Sequence, residues 1–244
     1  MLDGKVAFVT GGTGAVGGAI VRVLAREGCR VAYSFHSRPD RARELDEELA
    51  GRKAVVRSYP LDVLDGAAST ALAAKIEQDL GPVNVLVNNA GLAQVMPFAL
   101  IEEKDWDRMM NVNVKGMFLV TKAFVRGMIR RRSGNVVNMG SLAGMRLLEV
   151  PVHYATAKSA VVGFTLSLAK ELARYNIRVN AVVPGMLTAG VSANIPEKQR
   201  EEYCRYCTQG RPGTPEEVAE LVAFLASDRS SYINAQVICV DGGI

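Results

Sequence analysis

Residues 6–17, Val6-Ala7-Phe8-Val9-Thr10-Gly11-Gly12-Thr13-Gly14-Ala15-Val16-Gly17, decide the fold of this 244-residue chain. An apolar run ends in a glycine-rich turn, and a helical pattern over 16–27 follows at once. Glycines allow a tight turn, and the free N–H groups of a helix N-terminus stabilise a pyrophosphate. The stretch therefore predicts the phosphate-binding turn of a dinucleotide site. The residues expected to contact the phosphates are Gly11, Thr13, Gly14, Val16 and Gly17.

The same alternation of strand, turn and helix continues along the chain. Six more strands are predicted at 31–35, 54–57, 83–87, 135–138, 178–182 and 237–240. Further helical patterns lie at 39–50, 66–80, 102–131, 153–175 and 215–226. Strands that are apolar almost throughout are typical of a parallel sheet covered on both faces. We predict an α/β fold: one doubly wound Rossmann-type domain over 1–244, with a seven-stranded parallel sheet and a substrate-lid insertion at about 185–214.

Composition and charge exclude several other classes of protein. The net charge is +4, with 49% hydrophobic and 22% charged residues, and no basic stripe suggests a nucleic-acid partner. The longest apolar stretch, 159–169, is too short to span a bilayer, and the first strand leaves no room for a signal peptide. We therefore expect a cytoplasmic protein with reduced cysteines and no membrane association.

Cys204 and Cys207 have the spacing of a metal-ligand pair. No second pair and no nearby histidine completes such a site, so no metal is predicted, and both cysteines are assigned to the lid.

The end of the second predicted strand indicates which nucleotide binds. NAD sites usually place a carboxylate about 20 residues after the glycines, to bond the ribose 2′-hydroxyl. This chain instead has His36, Ser37 and Arg38, and the last two suit a 2′-phosphate. The pattern favours NADP(H). The alternative is that Arg38 is a solvated charge and that Asp40 turns in to bind NAD.

Tyr154 and Lys158 are four residues apart in a helical pattern and therefore share a face. A phenol with its usual pKa of about 10 is a poor base at neutral pH. A neighbouring ammonium favours the phenolate, so we expect Lys158 to lower the pKa of Tyr154 and make it a usable general acid or base. The alternative for this spacing, taken alone, is an ordinary surface pair.

Together these motifs resemble the short-chain dehydrogenase/reductase family over essentially the whole chain. The order and spacing match at the glycine-rich turn, Asn88-Asn89-Ala90-Gly91, Ser141, Tyr154-x-x-x-Lys158, Pro184-Gly185 and Val240-Asp241-Gly242-Gly243. Within the family the chain is most similar to bacterial 3-oxoacyl-[acyl-carrier-protein] reductases.

The resemblance implies a catalytic tetrad of Asn113, Ser141, Tyr154 and Lys158. Tyr154 would exchange a proton with the substrate oxygen, and Ser141 would donate a hydrogen bond to it. Lys158 would bond the nicotinamide ribose, and Asn113, favoured over the nearby Asn111, would support a proton-relay water.

The resemblance also implies further cofactor contacts. They are expected from Asp62, Val63, Asn89, Ala90, Gly91, Pro184, Gly185 and Leu187, with a backbone N–H of Leu187 given to the carboxamide. The chain departs from the family at Ala15, where glycine is usual, at Gly140, where a second serine is common, and at Thr188-Ala189-Gly190, which replaces an acid–threonine pair.

The same resemblance suggests reduction of a 3-oxoacyl thioester in fatty acid biosynthesis. Arg126 and Arg130 to Arg132 form a basic cluster that suits an acidic carrier protein, although a solvated helix end explains it equally well. Two other functions stay open: an NAD(P)-dependent alcohol or sugar-alcohol dehydrogenase, and a non-catalytic NADP-binding sensor. A homotetramer through the helices at 102–131 and 153–175 is expected from the family.

Overall fold

A seven-stranded parallel sheet forms the centre of the molecule in the computed structural model, which describes residues 1–51 and 54–244. The strand order is β3-β2-β1-β4-β5-β6-β7, and every neighbouring pair is parallel. The strands are β1 (Val6–Val9), β2 (Arg30–Phe35), β3 (Val56–Pro60), β4 (Val83–Asn88), β5 (Gly134–Met139), β6 (Ile177–Pro184) and β7 (Val237–Val240). The predicted Rossmann-type architecture is confirmed.

Within the described residues, eight α-helices connect and cover the strands. They are α1 (Ala15–Arg26), α2 (Pro39–Ala50), α3 (Gly66–Leu80), α4 (Glu103–Met110), α5 (Gly116–Arg131), α6 (Val152–Leu172), α7 (Glu197–Tyr206) and α8 (Pro215–Ala226). None of the helices in the part of the chain that the structure describes combines the length and apolar character of a membrane span.

Two apolar cores lie on opposite faces of the sheet. Ala7 and Val9 of β1 belong to the core that α1, α2 and α8 cover. Val6 and Phe8 point the other way, into the core that α3, α5 and α6 cover. Because side chains alternate across a strand, a strand that is buried on both faces, as β1 is, carries apolar side chains on both sides of the sheet.

Three elements differ from the sequence prediction. β3 begins two residues later than predicted and runs to Pro60, which an edge strand tolerates because it needs fewer ladder N–H donors. The helix predicted over 102–131 is α4 and α5 joined by a π-helical turn, Asn111–Lys115. The insertion before α8 contains α7, whose polar sequence gave little helical periodicity.

Connections leave β1 and β4 toward opposite sides of the sheet, so a crevice opens between the loops at their carboxyl ends. Ligands of open α/β sheets bind at such a switch point. The glycine-rich turn follows β1, and Asn89-Ala90-Gly91 follows β4.

Candidate active site

The turn after β1 is a compact cradle that side chains would obstruct. Gly11 has a φ of +68°, and a Cβ there would lie 3.0 Å from the Cα of Ala90. A Cβ on Gly17 would overlap the carbonyl oxygen of Gly11. Gly14 is the N-cap of α1 and adds no side-chain hydrogen bond to it, so the N–H groups of the first turn face outward for an anion. The predicted phosphate residues are thus gathered at one helix end.

Thr10 braces this cradle against the end of β4. Its Oγ1 accepts hydrogen bonds from the backbone N–H groups of Asn89 at 3.0 Å and Ala90 at 2.9 Å. The Nδ2 atom of Asn89 returns hydrogen bonds to the carbonyl oxygens of Thr10 and Gly11, at 2.9 and 3.2 Å. Asn89 therefore fixes the shape of the crevice. The sequence analysis did not predict this role for Thr10. Its position directly before the glycine-rich turn was the only feature of the sequence that could have indicated it.

His36, Ser37 and Arg38 lie exposed at the carboxyl end of β2, with Arg38 at the N-cap of α2. Asp40, the residue that had to turn in for NAD, instead pairs with Arg43 at 2.6 Å. A cavity of about 360 Å³ lies between the glycine-rich turn and α2. Its lining includes Gly12, Thr13, Gly14, Ala15, Gly18, Arg22, Arg41 and Glu44.

Asp62 and Val63 follow β3 at the same edge of the sheet. The Oδ1 atom of Asp62 accepts a hydrogen bond from the N–H of Leu64 at 2.9 Å, which leaves the carboxylate exposed in a tight turn. Val63 packs against α5, because a Cβ on Gly116 would lie 2.6 Å from its Cγ2.

Ser141 and Tyr154 meet where β5 ends and α6 begins. Ser141 caps a short 3₁₀ turn, its Oγ accepting from the N–H of Ala143 at 3.2 Å, and its side chain lies near enough to Tyr154 to affect the pKa of that phenol. A Cβ on the preceding Gly140 would lie 2.8 Å from Val183 Cγ2, so β6 leaves no room for the second serine that the family resemblance implies at this position.

Lys158 lies one helical turn beyond Tyr154 and is only 8% exposed. Its Nζ donates to the carbonyl oxygen of Met139 at 3.0 Å and lies 5.9 Å from the centre of the Tyr154 ring. The two side chains therefore point into the same crevice, as their spacing predicted.

The charge balance of this pair differs from the sequence expectation. Burial raises the pKa of the Tyr154 phenol, with the Ser141 hydrogen bond opposing that rise, and burial lowers the pKa of Lys158 to about 8. The sequence predicts that Lys158 lowers the pKa of Tyr154, whereas in this structure burial acts in the opposite direction. The reason is that burial disfavours the charged form of both groups, while the ammonium is directed at Met139.

Asn113 lies in the π-helical turn and is 3% exposed. Its Nδ2 donates to the carbonyl oxygens of Leu92 at 3.0 Å and Met109 at 3.1 Å. The second bond takes the carbonyl four residues back, which accounts for the interrupted α-helix. Its Oδ1 is buried without a partner among the described residues. A Cβ added to Gly91 would lie 2.6 Å from that oxygen and 3.7 Å from Lys158 Nζ.

Pro184 ends β6, and the sequence analysis predicts that Pro184, Gly185 and Leu187 border the nicotinamide. We call residues 184–188 the nicotinamide loop. The backbone N–H of Leu187, expected to face a carboxamide, donates to Ser192 Oγ at 3.3 Å. The N–H of Thr188 donates to the carbonyl of Gly213 at 2.9 Å, so Thr188 is held as part of a backbone pair.

The arginine cluster at the C-terminal end of α5 lies at the amino ends of the strands, whereas Ser141 lies at their carboxyl ends. Arg131 ion-pairs with Glu77 at 2.8 Å and donates to the carbonyl of Val83, the first residue of β4. Arg132 donates to the carbonyl of Arg174 at 2.7 Å. From its first residue to its last, α5 spans roughly 22 Å. Within one chain the cluster is therefore remote from the crevice.

His153 directly precedes Tyr154, and Cys204 and Cys207 lie in the predicted substrate lid. His153 is fully buried, with both ring nitrogens unpartnered among the described residues. Cys207 is buried against the carbonyl of Gly242 at 3.2 Å, and Cys204 is partly exposed. Neither 1–51 nor 54–244 contains three histidine, cysteine or acidic side chains grouped as metal ligands.

The residues of the crevice fit a nicotinamide dinucleotide. The uncapped N-terminus of α1 and the glycine cradle suit a pyrophosphate, and the cradle has no space for side chains. At the other end, Asn113 Oδ1, which has no hydrogen-bond partner in the part of the chain that the structure describes, and the ammonium of Lys158 face the same space beside Gly91.

Comparison with known proteins gives one consistent picture. A family model described as enoyl-(acyl carrier protein) reductase matches residues 12–244. The 3-oxoacyl-[acyl-carrier-protein] reductase FabG of Thermotoga maritima is 41% identical, covering 100% of this chain and 98% of its own. The 2-(S)-hydroxypropyl-CoM dehydrogenase 3 of Xanthobacter autotrophicus is 37% identical, covering 100% and 97%.

A solved structure supports the same grouping. A variant of a Serratia marcescens short-chain dehydrogenase/reductase superposes with a TM-score of 0.92 at 32% identity, covering 99% of this chain and 98% of its own.

Proposed function

The chain belongs to the short-chain dehydrogenase/reductase family and is an oxidoreductase, and on that basis we propose that it reduces a 3-oxoacyl thioester with NADPH. The observation that carries the proposal is the convergence of Ser141, Tyr154, Lys158 and the unpartnered Asn113 Oδ1 on one crevice, beside an uncapped helix N-terminus.

A bound nicotinamide supplies a hydride to the substrate carbon. Tyr154 gives its proton to the carbonyl oxygen, and Ser141 donates a hydrogen bond to that same oxygen and fixes its position. The phenol, whose pKa burial raises, stays protonated at neutral pH and can give its proton to the substrate oxygen as negative charge develops there.

Lys158 and Asn113 restore the proton that Tyr154 gives up. The ammonium is buried, with a pKa of about 8, so it can hold or release a proton near neutral pH. Asn113 Oδ1 presents an acceptor near it, beside Gly91, and would hold a water that carries the proton outward.

The preference for NADPH rests on the end of β2. Ser37 and Arg38 are exposed there, and Asp40 is paired with Arg43. A guanidinium and a hydroxyl suit a 2′-phosphate, whereas a carboxylate would repel it.

The apolar character of the crevice rim favours an acyl substrate over a sugar. Five large apolar side chains are exposed on the loops that leave the carboxyl ends of β4 and β5: Val95, Phe98, Leu100, Met145 and Leu147. Exposed apolar surface of this kind marks a binding surface. The relative from Thermotoga maritima bears the name of a reductase acting on 3-oxoacyl groups.

An NADPH-oxidation assay tests the proposal. The wild type should oxidise NADPH with an acetoacetyl thioester, and Tyr154→Phe should lose about 100-fold or more in kcat, since it lacks the proton donor. The matched control is Tyr232→Phe, whose side chain is fully exposed. Equal activity of wild type and Tyr154→Phe would contradict the mechanism.

A secondary-alcohol dehydrogenase is the second candidate, because a relative of equal coverage is named a 2-(S)-hydroxypropyl-CoM dehydrogenase. The same residues act in reverse, with Tyr154 taking the alcohol proton. Faster oxidation of small secondary alcohols than reduction of any thioester would favour this function. Tight NADPH binding without turnover of any carbonyl compound would favour the sensor function.

We also propose that the chain is one cytoplasmic domain that forms a homotetramer, with 185–214 closing over the crevice. Phe118 on α5 and Leu166 on α6 are exposed, and Gly163 faces open space on α6. Helices paired antiparallel through this face would bring the arginine cluster of one subunit toward the crevice of its neighbour. Light scattering that gives a monomer would contradict both the tetramer and this route for an acidic carrier protein.

A further inference from the structure

The helix α7 has no buried residue of its own, yet it is held against the nicotinamide loop. Its sequence, Glu197 to Tyr206, is strongly polar, so apolar packing does not explain how it is attached. Two side chains at its C-terminal end, Tyr203 and Cys207, contact the body of the molecule.

The Tyr203 hydroxyl makes two hydrogen bonds, one to each of two segments that are distant in sequence. It accepts from the backbone N–H of Met186 at 3.1 Å and donates to the carbonyl oxygen of Asp241 at 3.0 Å. Burial raises the pKa of this phenol, so it stays protonated and keeps donating through the neutral range. One hydroxyl thus joins α7, the nicotinamide loop and the segment after β7.

The glycine of Pro184-Gly185 is explained by this contact. A Cβ on Gly185 would overlap the Tyr203 hydroxyl and would lie 2.9 Å from the Cα of Asp241. Gly185 therefore lacks a side chain because α7 and the segment after β7 close on it. The hydroxyl fits into space that the glycine leaves open.

From this geometry we infer that Tyr203 is a positioning residue for hydride transfer, which fixes the nicotinamide loop through the N–H of Met186. Met186 directly precedes Leu187, whose backbone the family resemblance places beside the nicotinamide, and the inference rests on the proposed NADPH-dependent function. The same bond joins the loop to α7, so the segment that covers the substrate and the loop that borders the nicotinamide are held as one unit.

Tyr203→Phe keeps the ring and removes both hydrogen bonds. We expect NADPH to bind about 5-fold more weakly, as the loss of about one hydrogen bond predicts. Adenosine 2′,5′-bisphosphate, which has no nicotinamide, should bind with unchanged affinity. We expect kcat to fall about 10-fold with the KM for the thioester changed less than about twofold, because the reacting atoms are misplaced rather than released. Tyr232→Phe is the matched control.

Equal weakening for both nucleotides would show general destabilisation and overturn the inference, and so would unchanged NADPH affinity and kcat. If instead the wild type bound no NADPH, the proposed function would fail first and this inference with it.

Hydrogen exchange of the wild type gives a second test that needs no variant. The amide of Met186 should be protected in the free protein, and exchange at the rate of an exposed loop amide would contradict the contact with Tyr203.

Discussion

Replacing Lys158 with methionine should stabilise the protein at neutral pH while removing its activity. The ammonium is 8% exposed and burial lowers its pKa from 10.5 to about 8, a displacement equivalent to about 3 kcal/mol. Methionine has a similar length and no charge to bury. The substitution also loses the hydrogen bond to Met139 O, at a cost of about 1–2 kcal/mol. The net expected gain at pH 7 is about 1–2 kcal/mol.

The pH dependence gives this prediction its sign. Between pH 8 and 10.5 the unfolded chain binds more protons at this lysine than the folded chain, so wild-type stability rises with pH in that interval. The cost of burying the charge is fully present below about pH 8 and absent above 10.5. The methionine variant does not have this cost. Its gain in unfolding free energy over the wild type should therefore shrink between pH 8 and 10.5, and at pH 10.5 the variant should be slightly less stable than the wild type.

Urea unfolding of both proteins at pH 7 and pH 10 measures the difference. Lys170→Met is the matched control, because Lys170 lies exposed on the same helix and should change stability by less than about 0.5 kcal/mol at either pH. The thioester assay should show kcat reduced by about 100-fold. A Lys158→Met protein less stable than wild type at pH 7, or a difference independent of pH, would refute the reasoning from burial.

Three further substitutions test the nucleotide site. Arg38→Glu should raise the KM for NADPH at least about 10-fold while that for NADH changes little, and equal changes for both would contradict 2′-phosphate recognition. Gly17→Ala should destabilise the protein by about 1–3 kcal/mol, measured by urea unfolding, because its Cβ overlaps a backbone carbonyl that cannot move freely. Thr10→Val keeps the shape but leaves the N–H groups of Asn89 and Ala90 unpaired, and should cost about 1–3 kcal/mol in the same measurement.

The architecture was predictable because its signals are local and repeated. β1, at the centre of the sheet, is apolar on both faces, with Val6 and Phe8 on one side and Ala7 and Val9 on the other. The glycine-rich turn then fixed the crevice, since its conformation excludes side chains at Gly17. The helix over 102–131 was predicted as continuous, because the interruption depends on a side-chain contact and not on periodicity.

That interruption shows what a sequence pattern leaves out. Asn113 places its Nδ2 on the carbonyl of Met109 and so breaks the ladder of backbone bonds, which leaves its Oδ1 facing Gly91. The position of Tyr203 is equally non-local, because it contacts Met186 and Asp241 across gaps of 17 and 38 residues. Neither contact has a periodic or compositional signal.

For Tyr154 and Lys158, sequence spacing determines that the two side chains share a helix face, whereas burial determines the direction in which each pKa shifts. Four residues on a helix place the two side chains on one face, and the structure brings both into the crevice. The direction of each pKa is a separate matter, set by the whole packed environment. Burial disfavours phenolate and ammonium alike, so it keeps the phenol of Tyr154 neutral and makes the ammonium of Lys158 a stronger acid than usual. A neutral phenol is the form that can protonate a carbonyl oxygen, which is the role proposed above for Tyr154.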